Sequence, residues 1–236
     1  YYRIFCMKKI LYISALVSER MVGELYCKTG RNPGFAVQKF SRLLMKGFLA
    51  NGLEAVALSN PPIAKSGSGC ISHRIEVEDG IRYRYIPFFN IPLVKHICVF
   101  LYAFIYVLFW GMIDNKKKAI VCDVLSVSAC MGALFASKIN RITSVGVVTD
   151  IYSQMVGERK KGLSRIISAL AGKLQQAYST SFSRYVLLTE QMNEIVNPNS
   201  RPYIVMEGLC DCSVDDVVGE TDKDDPMSVV YAGGLE

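Results

Sequence analysis

A regular alternation of short apolar strands and amphipathic helices constrains the fold of this chain more than any other feature. Apolar runs at residues 10–14 and 54–59 flank a helical pattern at about 36–51, which ends at Asn51-Gly52. A glycine-bearing loop joins the first strand to that helix. Strand, helix and strand in this order predict a parallel pair of strands, with any ligand at their carboxyl ends.

The same alternation continues to residue 206. Two alternating segments in 72–86 flank Glu78-Asp79-Gly80, a pattern that predicts a hairpin. Beyond residue 118 the pattern predicts four strands and three helices, at 119–122, 144–149, 185–188 and 202–206, and near 128–139, 162–178 and 190–196. This order predicts an α/β fold, a Rossmann-like doubly wound parallel sheet.

The domain organisation follows from shifts in composition. We expect a natural start at Met7 of Met7-Lys8-Lys9 and one domain over residues 7–214. Residues 215–227 are acidic and poor in core residues, which is typical of an interdomain linker. Residues 228–236 then read as the first strand and glycine turn of a second α/β domain, so we expect the chain to be truncated at the start of that domain.

Composition narrows the class of protein. Of the 236 residues, 51% are hydrophobic, which is enough for a core and excludes general disorder. The net charge of +6 suits an anionic membrane surface, and no basic stripe with interleaved aromatics predicts a nucleic-acid partner. Eight scattered cysteines without a Cys-x-x-Cys pair, and two histidines, predict no metal site and a reducing, cytoplasmic location.

An apolar run at residues 97–113 lies at the short limit of the about 17–25 residues of a spanning helix. Three alternatives fit it: a helix buried against the sheet, a helix pressed into one membrane face, and a true span. Lysines at 116–118 follow the run, and each adds on the order of 1 kcal/mol at an anionic leaflet. We expect peripheral attachment at the inner face of the cell membrane.

Four segments together resemble a known family. They are "SVGVVTD" at 144–150, "YVLLTEQMNEIV" at 185–196, "YIVMEGLCD" at 203–211 and "VVYAGGLE" at 229–236. Their order and spacing are similar to the N-terminal half of the retaining family-4 glycosyltransferases of the GT-B fold. The resemblance implies two Rossmann-like domains facing a cleft, the first binding the acceptor and the second the nucleotide-sugar, with no cofactor in this half.

The resemblance implies an enzyme that transfers a sugar from a nucleotide-sugar to a hydroxyl of a glycan or lipid-linked acceptor, in bacterial polysaccharide biosynthesis. The chain alone is then expected to be inactive, because the donor-binding half lies elsewhere. An alternative is a non-catalytic partner subunit that binds a nucleotide or glycan. A sugar-nucleotide epimerase or dehydrogenase is disfavoured because no Gly-x-Gly-x-x-Gly follows the first strand.

Asp150 is the candidate catalytic residue, since a carboxylate at the end of a buried strand can orient or deprotonate an acceptor hydroxyl. Thr149 stands where relatives often carry a histidine. The predicted substrate-binding residues are Gly34, Phe35, Thr149, Thr189, Glu190, Glu207 and Gly208. Structural alternatives remain open for several of them: a strand-end cap for Asp150, a loop glycine for Gly34, a helix N-cap for Thr189 and a tight turn at Gly208.

Overall fold

The computed structural model describes residues 9–30, 34–63, 69–91, 93–113, 117–151, 174 and 176–211. Its strands are β1 (Lys9–Ser14), β2 (Glu54–Ser59), β3 (Cys70–Ile71), β4 (Arg74–Glu78), β5 (Ile81–Tyr85), β6 (Phe88–Phe89), β7 (Lys118–Asp123), β8 (Thr143–Val148), β9 (Arg184–Leu187) and β10 (Tyr203–Val205). Its helices are α1 (Glu19–Thr29), α2 (Phe35–Ala50), α3 (Val94–Met112), α4 (Val127–Ile139) and α5 (Met192–Val196). Residues 176–179 are also helical.

The main sheet has eight strands in the order β10-β9-β8-β7-β1-β2-β5-β4. Neighbouring strands are parallel except for β4, which runs antiparallel to β5 at one edge. From β1 the chain first adds β2 and β5 on one side of the sheet. It then returns to the centre and adds β7, β8, β9 and β10 on the other side of β1. This α/β architecture is compatible with a Rossmann-like fold, and its topological switch point lies between β1 and β7.

Helices cover both faces of the central strands. Helix α2 packs on β1, β2 and β5, while α4 packs on β1, β7 and β8. Because β1 to β2 and β7 to β8 run in opposite directions along the sheet, the right-handed crossover rule assigns these two helices to opposite faces. Leu11, Tyr12 and Ile13 of β1 are consequently almost fully buried, which explains why this strand is apolar without alternation.

Most of the predicted strands and helices are confirmed, and the predicted hairpin is β4–β5. Its turn residues Asp79 and Gly80 have φ of 52° and 75°, the left-handed conformations that a two-residue hairpin turn requires. The predicted loop after β1 was wrong in part. Helix α1 occupies part of the predicted loop after β1, with Ser18 as N-cap accepting from the Met21 amide at 3.1 Å. The short pair β3–β6 was not predicted either.

The apolar run forms α3, which is packed on one face and exposed on the other. Its residues Val99, Ala103 and Val107 are buried, and Gly132 of α4 lets the α3 backbone approach closely. Only 17% of its most apolar window is buried, so α3 packs through one face and is not enclosed on all sides. By length and composition alone α3 is the one helix among the described residues that is long and apolar enough to cross a membrane.

Lys118 holds the C-terminal end of α3. Its ammonium group donates to the carbonyl oxygens of Trp110 at 2.8 Å and of Gly111 at 3.2 Å, which no longer have partners within the helix. In the predicted lysine cluster, Lys118 therefore stabilises the end of α3, and Lys116 lies outside the described residues. So do most of the predicted helix at 162–178, the linker at 215–227 and the strand at 228–236.

Candidate functional site

A cavity of about 340 Å³ lies at the carboxyl edge of the sheet, against the first half of α2. Its walls are largely apolar, from Val37 and Phe40 of α2, Val147 of β8 and Leu188 after β9. Its polar lining comes from Tyr12, Ser41, Asp123, Thr149 and Asp150. A concave apolar site with a few convergent polar groups, beside a topological switch point, is where α/β proteins bind ligands.

Contacts between β1 and α2 set one wall of this cavity. The hydroxyls of Tyr12 and Ser41 hydrogen-bond at 2.9 Å, and burial raises the pKa of Tyr12 so that the phenol stays neutral. Gln38 accepts from the Val17 amide and donates to the Ala15 carbonyl, both at 2.9 Å. Because these bonds tie α2 to the loop that follows β1, the wall has a defined position.

Asp123 is the most buried acid of the cavity. It is the last residue of β7, beside β1, and only 5% of its surface is exposed. Its Oδ1 accepts from the Leu125 amide at 3.1 Å, whereas Oδ2 has no hydrogen-bond partner among the described residues. Burial, together with the charge of Asp150, raises the pKa of Asp123 to about 6, so its carboxyl group changes charge near neutral pH.

Thr149 and Asp150 lie where the sequence predicted them. Strand β8 ends at Val148, and these two residues follow at the cavity rim, with Thr149 half-buried and Asp150 exposed. The structure thus brings Asp150 near Asp123, a pair that repels when both are ionised. Among the described residues, no Lys, Arg or His side chain lines this cavity, so its field is negative.

Gly34 and Phe35 begin α2 but do not line the cavity. Gly34 is the N-cap with φ of 87°, and a Cβ added there would meet nothing within 4 Å of the described atoms. The positive φ, rather than a close approach, therefore accounts for the glycine. Phe35 is 74% exposed and lines a separate groove of about 830 Å³ between α1 and α2.

The remaining four predicted residues are exposed and lie outside the cavity lining. Thr189 follows Leu188, but it is not the helix N-cap that the sequence suggested, because α5 begins at Met192 with Gln191 before it. Glu190 accepts a hydrogen bond from the Tyr203 hydroxyl. Glu207 and Gly208 follow β10 at the sheet edge, two strands away from β8.

Sequence reasoning missed Asp123, Tyr12 and Ser41. Asp123 directly follows the predicted strand at 119–122, and a carboxylate after a buried strand is the same signal that singled out Asp150. Tyr12 and Ser41 carry no such signal, because their place in the cavity depends on how α2 packs on β1.

The chain matches no family model of known proteins, and it matches no curated protein. Within the described part of the chain, no three His, Cys, Asp or Glu side chains form a group that could hold a metal ion.

Proposed function

We propose that this protein is the acceptor-binding part of a retaining glycosyltransferase, which transfers a sugar from a nucleotide-sugar to an acceptor hydroxyl in polysaccharide biosynthesis. One observation carries the proposal: Thr149 and Asp150, the end of the "SVGVVTD" segment, line a cavity at the carboxyl edge of a mostly parallel sheet. In the GT-B arrangement that the resemblance implies, this edge would face the cleft and a second domain would hold the donor.

The cavity suits a sugar acceptor chemically. The apolar surfaces of Val37 and Phe40 would pack against the C–H face of a pyranose ring, while Asp150 would accept a hydrogen bond from the hydroxyl that attacks the anomeric carbon. Accepting that bond orients the hydroxyl and takes up part of its proton's charge as the new bond forms. Stabilisation of the leaving phosphate would fall to the donor-binding domain.

The test is sugar transfer by the protein expressed from its complete reading frame. Purified enzyme would be incubated with radiolabelled UDP-, GDP- and dTDP-sugars and with a lipid extract as acceptor source, and the product's anomeric configuration would be read by NMR. We expect one donor class to be used, with retention. Donor or glycan binding without any transfer would instead favour the non-catalytic partner subunit.

We further propose that α3 attaches the protein to an anionic membrane surface. Ile97, Leu101, Ile105 and Phe109 lie four residues apart and are 48–61% exposed; we call these four residues the α3 stripe. Phe135 and Ile139 of the neighbouring α4 are also exposed, and Lys138 adds positive charge in the last turn of α4. An apolar stripe beside cationic side chains fits the interface of an anionic bilayer.

Vesicle flotation tests this attachment. Replacing Ile105 and Phe109 with serine removes two large apolar side chains, each of which would bury about half of its surface in the bilayer interface. Together they contribute about 2 kcal/mol of binding free energy, so the double substitution is expected to weaken binding to phosphatidylglycerol vesicles about thirtyfold. The matched control replaces Ile75 and Val77 of β4, which are similarly exposed, and is expected to bind normally. Equal losses in both variants would contradict the assignment, and resistance to carbonate extraction would indicate a true span.

A further inference from the structure

We propose that Asp123 is the ligand-binding carboxylate of the cavity, and that the cavity takes a neutral, hydroxyl-rich ring and excludes sugars that carry phosphate or carboxylate groups. The choice of a hydroxylated ring rests on the proposed function. The assignment of Asp123 rests on its position, its burial and its incomplete hydrogen bonding.

The geometry leaves one oxygen of Asp123 for a ligand. Oδ1 is held by the Leu125 amide at 3.1 Å, which orients the carboxyl group, and Oδ2 has no partner in the described part of the chain. Although the side chain is only 5% exposed, Oδ2 is not one of the fully buried polar atoms without a partner, so it stays open to the cavity. A ligand hydroxyl that enters the cavity would supply the missing donor.

The side chains packed around Asp123 stay neutral near neutral pH, so the charge that changes there is that of Asp123 itself. Tyr12 faces it from β1 and Tyr178 from the helical residues 176–179, and burial raises the pKa of both phenols, which keeps them neutral. Cys130 of α4 donates to the Asp123 backbone carbonyl at 3.2 Å, and burial likewise raises the pKa of its thiol. Within the part of the chain that the structure describes, the one charged group that acts on Asp123 is Asp150, which has the same sign.

The charge of the cavity then decides which sugars fit. Two carboxylates line it, and no cationic side chain does among the described residues. A phosphate or uronate group would bring a third negative charge beside Asp123, which is buried, and repulsion between charges is stronger there than in bulk water. A neutral pyranoside avoids this repulsion and offers hydroxyl donors to both carboxylates.

This arrangement makes binding depend on pH. A hydroxyl donates a stronger hydrogen bond to the ionised form of Asp123 than to its protonated form, so a bound ligand lowers the pKa of that carboxyl group. With a pKa of about 6, roughly one tenth of the groups are ionised at pH 5 and nearly all at pH 7.5. We therefore expect neutral pyranosides to bind up to about tenfold more weakly at pH 5 than at pH 7.5.

The experiment follows the Asp123 carboxyl group directly. Protein with ¹³C-labelled aspartate carboxyls is titrated by NMR with methyl α-D-glucopyranoside and methyl α-D-mannopyranoside as neutral probes, and with glucose 6-phosphate and methyl α-D-glucuronide as anionic probes. The Asp123 resonance is assigned by its loss in Asp123→Asn. We expect the neutral probes to move that resonance and lower its midpoint, and the anionic probes to leave it unchanged.

Two variants sharpen the result. Asp123→Asn is expected to abolish the pH dependence of binding, while Asp150→Asn keeps it and shifts the midpoint downward because a like charge is gone. A midpoint near 4 in the wild type, equal binding of the anionic probes, or no response to either neutral probe would overturn the proposal. Pyranoside binding without transfer would refute the proposed enzyme alone, and transfer without any Asp123 response would refute this inference alone.

Discussion

Replacing Gly132 with alanine tests how α3 is held against α4. An added Cβ would lie 2.3 Å from the Phe100 carbonyl oxygen and 3.0 Å from the Phe104 amide nitrogen. Both are backbone atoms, which cannot rotate away, so α3 has to shift. Overpacking of this kind costs about 1–3 kcal/mol, while alanine gains about 1 kcal/mol in helix propensity. We expect a net loss of up to about 2 kcal/mol, or up to roughly 8 °C in Tm for a chain of this size.

Gly23→Ala is the matched control. Gly23 lies in the middle of α1, is exposed, and has nothing within 4 Å of an added Cβ. The substitution is therefore expected to gain up to about 1 kcal/mol and to raise Tm by about 2–4 °C. Both variants would be compared by thermal unfolding monitored by circular dichroism.

Hydrogen exchange in α3 gives the second readout. Gly132→Ala is expected to speed exchange of the α3 amides more than those of α2, because only α3 is displaced. If Gly132→Ala proves as stable as Gly23→Ala, α3 does not pack on α4 through this contact. The exposed side of α3, and with it the position of the α3 stripe, would then not be set by packing on α4.

Two further predictions concern Asp123 and Lys118. The folded-state pKa of Asp123 is raised from 3.8 to about 6, so ionising this acid costs stability that is regained as pH falls from above 6 to below 4. Asp123→Asn is therefore expected to be more stable than the wild type by up to about 3 kcal/mol at pH 7.5 and equally stable below pH 4 in urea unfolding; a pH-independent difference would contradict the burial argument. Lys118→Glu removes the cap of α3 and is expected to lower stability by about 1–2 kcal/mol, whereas Lys138→Glu should weaken only vesicle binding. Equal effects of the two lysine variants on unfolding would show that the cap contributes nothing.

Local patterns in the sequence predicted most elements of this fold, because hydrophobic period and turn residues are local properties. The hairpin at Asp79-Gly80 and the end of α2 at Asn51-Gly52 are examples. Helix α1 was missed because the stretch after β1 was assigned to a glycine-bearing loop, although Ser18 as N-cap followed by the acid Glu19 is a pattern that begins a helix. The position of β1 at the centre of the sheet depends on long-range pairing, which no local pattern contains.

The candidate site was predictable only in part. The strand-end rule placed Thr149 and Asp150 at the cavity, because β8 lies close to the switch point. The same rule says less about Glu207 and Gly208, since β10 lies at the sheet edge and its carboxyl end is far from that point. The burial of Asp123 comes from neighbouring strands and helices, so its raised pKa could not be foreseen from the residue alone.

Turnover by Asp150→Asn in the protein expressed from its complete reading frame tests the central claim most directly. The substitution keeps the shape of an exposed side chain and removes its charge, so Tm should change little. Asp79→Asn, an exposed acid in the β4–β5 turn away from the cavity, is the control. We predict that Asp150→Asn lowers kcat about 10²-fold or more while Asp79→Asn leaves it unchanged. Near-normal sugar transfer by a well-folded Asp150→Asn protein would show that this carboxylate only caps a strand, and would contradict the proposed role of the cavity.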